Sequence, residues 1–135
     1  MKSTLRILKL LSDETRLRIL MILIKRELCV CQIMAILGIS QPLVSRNLAL
    51  LDDAGLLSER KEGKLVFYSI RKDLPPFVKR LIRSIREELK DDETLKFDSE
   101  TLLDCHEYQE KVGKCDMKTF LSFMEQRRKK RRFKA

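Results

Sequence analysis

Apolar positions recur at helical spacing through most of residues 1–90, and polar punctuation divides them into elements. Leu5, Ile7, Leu8 and Leu11 predict a short amphipathic helix. Ser12 and Asp13 then supply a cap for a second helix carrying Leu17, Leu20, Met21 and Ile24. Val30, Ile33, Met34 and Leu37 predict a third, stopped by Gly38, a favoured residue just past a helix end. Ser40 is the expected cap of a fourth helix, with Pro42 in its first turn, where proline is tolerated. That helix is expected to reach about Ala54 and to end at Gly55.

The period changes over residues 56–70. Arg60, Lys61, Glu62, Gly63 and Lys64 read as a polar turn, and Leu65, Val66, Phe67, Tyr68 and Ile70 are strand formers, so a β-hairpin is predicted. Asp73, Pro75 and Pro76 open a long helix with Phe77, Leu81, Ile85 and Leu89 on one stripe, widened by Val78 and Ile82. A stripe that wide at the edge of a domain calls for a second surface to cover it, and a second subunit is the natural candidate. Asp91, Asp92, Glu93 and Thr94 read as a linker, and residues 99–111 and 116–126 as two further helices separated by Gly113. The fold class is mostly α with a β-hairpin wing: a winged helix-turn-helix over residues 1–90, then a helical, basic C-terminal extension over 91–135.

Composition narrows the class. Hydrophobic residues at 44% and charged residues at 36%, with only four glycines and three prolines, fit a helix-rich folded chain. The apolar run 19–24 is bounded by Arg18 and Lys25, so neither a membrane span nor a signal-peptide core is expected, and a cytoplasmic location is the default. Four cysteines in that setting point to reduced, metal-binding or redox-sensing thiols instead of a disulfide framework. The net charge is +9, but Arg127, Arg128, Lys129, Lys130, Arg131, Arg132 and Lys134 supply seven of those charges, leaving +2 elsewhere. The tail is thus either a solvated appendage or a phosphate-contacting arm.

On a helical wheel at about 100° per residue, Val44, Leu48 and Leu51 face inward, while Gln41, Ser45 and Arg46 lie on the open side. Gln and Arg offer bidentate contacts to adenine and guanine edges in a major groove. The short helix before, the Gly38-Ile39-Ser40 turn and the basic hairpin after favour a DNA-reading element over an ordinary surface helix. Arg60, Lys61 and Lys64 are the expected wing contacts to phosphates or the minor groove.

Residues 5–72 resemble the winged-helix repressors of the ArsR type, through LSDETRLRIL (11–20), ELCVC (27–31), SQPLVSRNLALL (40–51), AGLL (54–57) and RKEGKLVFYSI (60–70). The resemblance implies a homodimer paired through the N-terminal helix and the helix from Pro75 to Leu89, bound to a palindromic operator and released by a metal or metalloid. It carries DNA contact onto Ser40, Gln41, Ser45, Arg46, Asn47, Arg60, Lys61 and Lys64. Similar members often have His where this chain has Asn47; the wheel places Asn47 on the core flank, so helix packing or a phosphate contact is expected of it. ELCVC is similar to the sensor segment of arsenite- or antimonite-responsive members and of cadmium- or lead-responsive ones, which makes Cys29 and Cys31 the implied ligands. As(III) and Sb(III) are the favoured effectors, Cd(II) and Pb(II) the alternatives.

Thiolates suit soft ions, and a helix N-terminus is expected to lower their pKa. Two residues apart in a regular helix, however, side chains project about 200° apart. Either Cys29 precedes the helix, or ligation distorts its first turn. The third cysteine of a common arsenite pattern, three positions on, is replaced by Met34, a core residue by its spacing. Cys105 and Cys115 are then the candidate third or fourth ligands, from the same or the partner subunit, unless they form a separate site with His106 or are unrelated thiols. Zinc sensing through the long helix is not expected, because the single histidine lies beyond it. A thiol redox switch and a protein-interaction module are the competing functions. No glycine-rich phosphate loop, Ser/His/Asp set or Cys-x-x-Cys motif supports an enzyme.

Overall fold

The computed structural model describes residues 1–134, with side chains described through residue 129. The basic tail is therefore described as far as Lys129, and the side chains of residues 130–135 lie outside the described part. Seven helices and three strands follow in the order α1 (Lys2–Leu11), α2 (Glu14–Lys25), β1 (Leu28–Cys29), α3 (Val30–Leu37), α4 (Gln41–Asp53), β2 (Leu57–Glu62), β3 (Leu65–Ile70), α5 (Pro76–Glu88), α6 (Glu93–Val112) and α7 (Met117–Lys134). Among the described residues no single helix is long and apolar enough to cross a membrane.

The boundaries follow from local chemistry. Asp13 caps α2 by accepting from the Arg16 backbone N–H, and Ser40 caps α4 through the Leu43 N–H. Gly38 ends α3 at φ 68°, a left-handed conformation open to glycine at little cost. The hairpin pairs Leu57 with Ile70 through to Glu62 with Leu65, and Gly63 at φ 61° turns its tip. A third strand, two residues long, adds antiparallel to β3 with Leu28 opposite Tyr68 and Cys29 opposite Phe67, giving the order β1-β3-β2.

The first helix of the extension, expected over 99–111, begins six residues earlier. Asp92 accepts from the Leu95 N–H and starts α6 at Glu93, so Glu93 and Thr94 are first-turn residues and not linker. An acid cluster at a helix start is stabilised by the amide dipoles there. Both extension helices pack on the winged helix: α6 lies against α2 and α3, and α7 against α3 and α6. Leu102, Cys105, Phe120 and Phe123 enter the same apolar cluster as Ile19, Leu20, Ile33 and Leu48. A buried ion pair locks the contact, with Arg18 donating twice to Asp98 at 2.8 and 2.9 Å and once to the Leu37 carbonyl at 3.1 Å. Asp98 is 1% exposed, so this pairing is a condition of its burial.

Candidate thiol site and DNA-reading surface

Cys29 lies before α3, not within it. It is the N-cap, in extended backbone at φ −93° and ψ 170°, and belongs to β1. The projection problem of a Cys-x-Cys pair inside a helix therefore does not arise. Its N–H donates to Gln32 Oε1 at 2.9 Å, and Gln32 Nε2 in turn donates to Gln109 Oε1 of α6 at 2.8 Å. The start of α3 is thus clipped to the extension by two side-chain amides.

The extension also brings thiols to this point. Cys115, in the loop between α6 and α7, has its Sγ 4.0 Å from that of Cys29. Two thiolates on one tetrahedral ion at about 2.3 Å stand about 3.8 Å apart, so this pair is already at ligand spacing. Cys105 is buried on the inner face of α6, and Cys29, Cys31 and Cys105 all act electrostatically on Cys115. The four thiols share one neighbourhood. Among the described residues, no three His, Cys, Asp or Glu side chains are yet arranged around one point as a metal ion requires. The donor chemistry suits a soft ion, and completing the site requires a local adjustment of Cys31 or Cys105.

The expected lowering of thiol pKa is not what the site does. Burial, aided by neighbouring Cys29, pushes Cys105 and Cys115 up to about 12, and burial also raises Cys31. The α3 N-terminus does not outweigh that desolvation at Cys31. His106 has its Nε2 3.0 Å from Glu110 and 3.4 Å from Arg26. It shares with Cys115 the wall of a surface cleft of about 370 Å³, alongside Gln32 and Phe67.

On α4, Val44, Leu48 and Leu51 are buried, while Ser40, Gln41, Ser45 and Arg46 are exposed on the other side. Asn47 is not on that surface. At 4% exposure it donates to the Leu43 carbonyl and accepts from Arg16 of α2 at 3.3 Å, which makes it a packing residue between α2 and α4. In the wing Lys61 and Lys64 are unburied. Arg60 is held by Glu27 and Glu62 at 2.7 and 2.8 Å and lies over the Phe67 ring.

Sequence reasoning missed the amide clip. Gln32, three residues after the cap, occupies the reciprocal position of a capping box, and that spacing is the signal that was there to be read. Asp98 as the partner of Arg18 carries no comparable local signal, because the two are eighty positions apart.

A three-stranded winged helix with an amphipathic second helix after a tight glycine turn defines a DNA-binding regulator of the winged helix-turn-helix class. Residues 13–59 match the family described as bacterial regulatory protein, arsR family. The arsenical resistance operon repressor of Escherichia coli is 44% identical over 79 residues, 58% of this chain and 68% of that one. A cadmium resistance transcriptional regulatory protein homolog of Staphylococcus aureus is 44% identical over 66 residues, 48% of this chain and 54% of that one. The homodimeric winged helix-turn-helix DNA-binding domain of a possible ArsR-family regulator from Mycobacterium bovis superposes with a TM-score of 0.56 at 28% identity, over 68% of this chain and 82% of that one. The chain belongs to the ArsR family of transcriptional repressors, whose members here are metal- or metalloid-responsive.

Proposed function

We propose that the chain is a homodimeric repressor that leaves its operator when a trivalent metalloid, arsenite or antimonite, is held by Cys29 and Cys115 with Cys31 or Cys105 as the third sulfur. The observation that carries this reading is the 4.0 Å approach of Cys115 to Cys29. It supplies, from the extension, the thiol that Met34 does not provide. The chain's own groups give a route to the DNA surface. A sulfur set completed at the N-cap of α3 shifts the β1–α3 junction and strains the Gln32–Gln109 clip; α3 is joined to α4 by one short turn, so the shift reorients Gln41, Ser45 and Arg46. Exposed Leu5 and Leu8 on α1 and Phe77 on α5 support pairing of two subunits through those helices.

Protonated thiols also bear on the choice of effector. Arsenous acid exchanges three hydroxyls for three thiols and releases water with no net proton, whereas a divalent cation must displace a proton from each thiol it takes. Cd(II) and Pb(II) therefore meet a cost here that arsenite avoids.

The test is operator binding by the reduced protein, titrated with arsenite, cadmium and zinc between pH 6 and 8. Release by arsenite with a midpoint that stays flat across this range, abolished in Cys29→Ser with Cys115→Ser, supports the reading. Release by cadmium alone, steepening with pH, would move the effector to a divalent metal. The same Cys29–Cys115 approach favours a second reading, in which a peroxide oxidises the two thiols to a disulfide and is itself reduced to water. Release by peroxide without response to any ion would select it.

A further inference from the structure

The basic end of α7 is not absorbed by the thiol site, and its position in the fold is specific. α3 and α7 lie side by side and run in the same direction. At their starts, Cys29 and Cys115 approach to 4.0 Å. At the other end of α3, residues Leu37 and Gly38 share the wall of a cleft of about 680 Å³ with Arg127 and Arg128. The lengths agree: eight residues of α3 rise about 12 Å, and Met117 to Arg127 about 15 Å. α7 therefore reaches the level of the turn that opens α4 and continues through Lys134, about 9 Å beyond Arg128.

Arg127 fixes this course. It pairs with Asp104, donates to Thr101 Oγ1 at 2.7 Å and lies over the rings of Phe97 and Phe123. It is an anchor in the fold. Past it the sequence carries Arg128, Lys129, Lys130, Arg131, Arg132 and Lys134 and no acid, and Lys129 lies 3.8 Å from Glu125 one turn back. These charges begin at the cleft that Gly38 also lines, with Glu14 and Glu93 on its wall. Gly38 leads within three residues to Ser40 and Gln41, the N-terminal residues of the reading helix; such residues meet the base edges in helix-turn-helix complexes.

We infer that the basic end of α7 is a second DNA-contacting element, laid along the phosphates that flank the half-site read by α4. The inference rests on the repressor reading for its duplex partner. The arm positions without reading bases, so it strengthens binding to every sequence alike and makes the whole interaction more salt-dependent.

The experiment uses the full chain with Arg128→Gln, Lys129→Gln, Lys130→Gln, Arg131→Gln, Arg132→Gln and Lys134→Gln, leaving Arg127 in place. Binding to operator and to random duplex is measured across a salt series. The expected result is a tenfold or greater loss at about 0.15 M salt for both duplexes, with the slope of log K against log salt reduced by about 0.9 per lost contact. A variant with Arg128, Arg131 and Arg132 changed to Lys keeps the charge, and is expected to keep the slope. An unchanged slope in the neutral variant, or an equal loss in the lysine variant, would overturn the arm. Loss of binding to anionic vesicles with DNA affinity intact would overturn it as well. Wild-type protein that shows the arm's salt slope but prefers no duplex sequence would instead overturn the repressor reading and leave the arm standing.

Discussion

Burial holds Cys105 and Cys115 in the thiol form far above neutral pH, and this has a consequence for stability. Both are acids whose folded pKa, about 12, exceeds the unfolded value near 8.5. Their contribution is complete below the unfolded value and is lost as pH rises toward the folded one, because the unfolded chain ionises first. Urea midpoints at pH 7.5 and 10 are expected to fall more in the wild type than in Cys105→Ala, whose alkaline loss is smaller; equal losses would show that Cys105 carries no such linkage. Asn47 gives a second prediction at this scale. Asn47→Ala removes the acceptor of Arg16 and costs about 1–2 kcal/mol of stability, while the ratio of operator to random-duplex affinity is unchanged. Urea unfolding and competition binding check the two halves. The inward position of Asn47 was legible from the wheel. Its partner was not, since Arg16 lies on another helix thirty-one positions away.

At the scale of elements, the winged helix was legible because each helix through α5 carries its own apolar stripe and its own stop. Ser40, Gly38 and Gly63 announce the ends of α3 and α4 and the tip of the wing through side-chain capping and left-handed backbone. β1 was not legible, because two residues cannot show an alternation. The start of α6 was hidden by the acidic run 91–93, in which Asp92 is a cap and its neighbours look like linker. That α6 and α7 join the core was hidden more deeply. Phe120 is fully buried, yet α7 as a whole is dominated by its basic end, and the Arg18–Asp98 pair that ties α6 to α2 joins positions eighty apart. Removing Asp98 leaves Arg18, 19% exposed, with the Leu37 carbonyl alone, at a cost of about 1.5–3 kcal/mol for the lost charged hydrogen bonds. Asp98→Ala is therefore expected to destabilise the chain by roughly that amount, and hydrogen exchange should show α6 and α7 opening before α2. A change under 1 kcal/mol would mean that the extension is held by apolar contacts alone.

At the scale of the whole molecule, α3 lies between two devices. Its first residues meet the thiols and the amide clip, its last residues share a cleft with the anchored end of α7, and one short turn joins it to α4. On the proposed function, effector and DNA surfaces share one packed unit, and one chain would read one half-site of a palindrome. Of the exposed apolar side chains, those on α1 and α5 are the ones the proposed pairing of two copies would cover, while Leu103 and Leu121 lie on the extension. Leu5 at 46% and Leu8 at 43% exposure lie on α1, and Phe77 lies at the start of α5, whose Val78 and Ile82 face inward. Burying such side chains contributes about 25 cal/mol per Å² of apolar surface, against an association cost of several kcal/mol, so no one of Leu5, Leu8 and Phe77 suffices and pairing would need the three covered together. Leu8→Glu with Phe77→Glu places four like charges in a two-fold interface and none in the core. Sedimentation is expected to show a dimer for the wild type and a monomer for the double variant at micromolar concentration. The monomer should keep its helical content and bind a single half-site as tightly as before, but lose its preference for the palindrome by a hundredfold or more. Palindrome binding that survives in a monomeric variant would place the pairing surface elsewhere, or show that the operator is read without it.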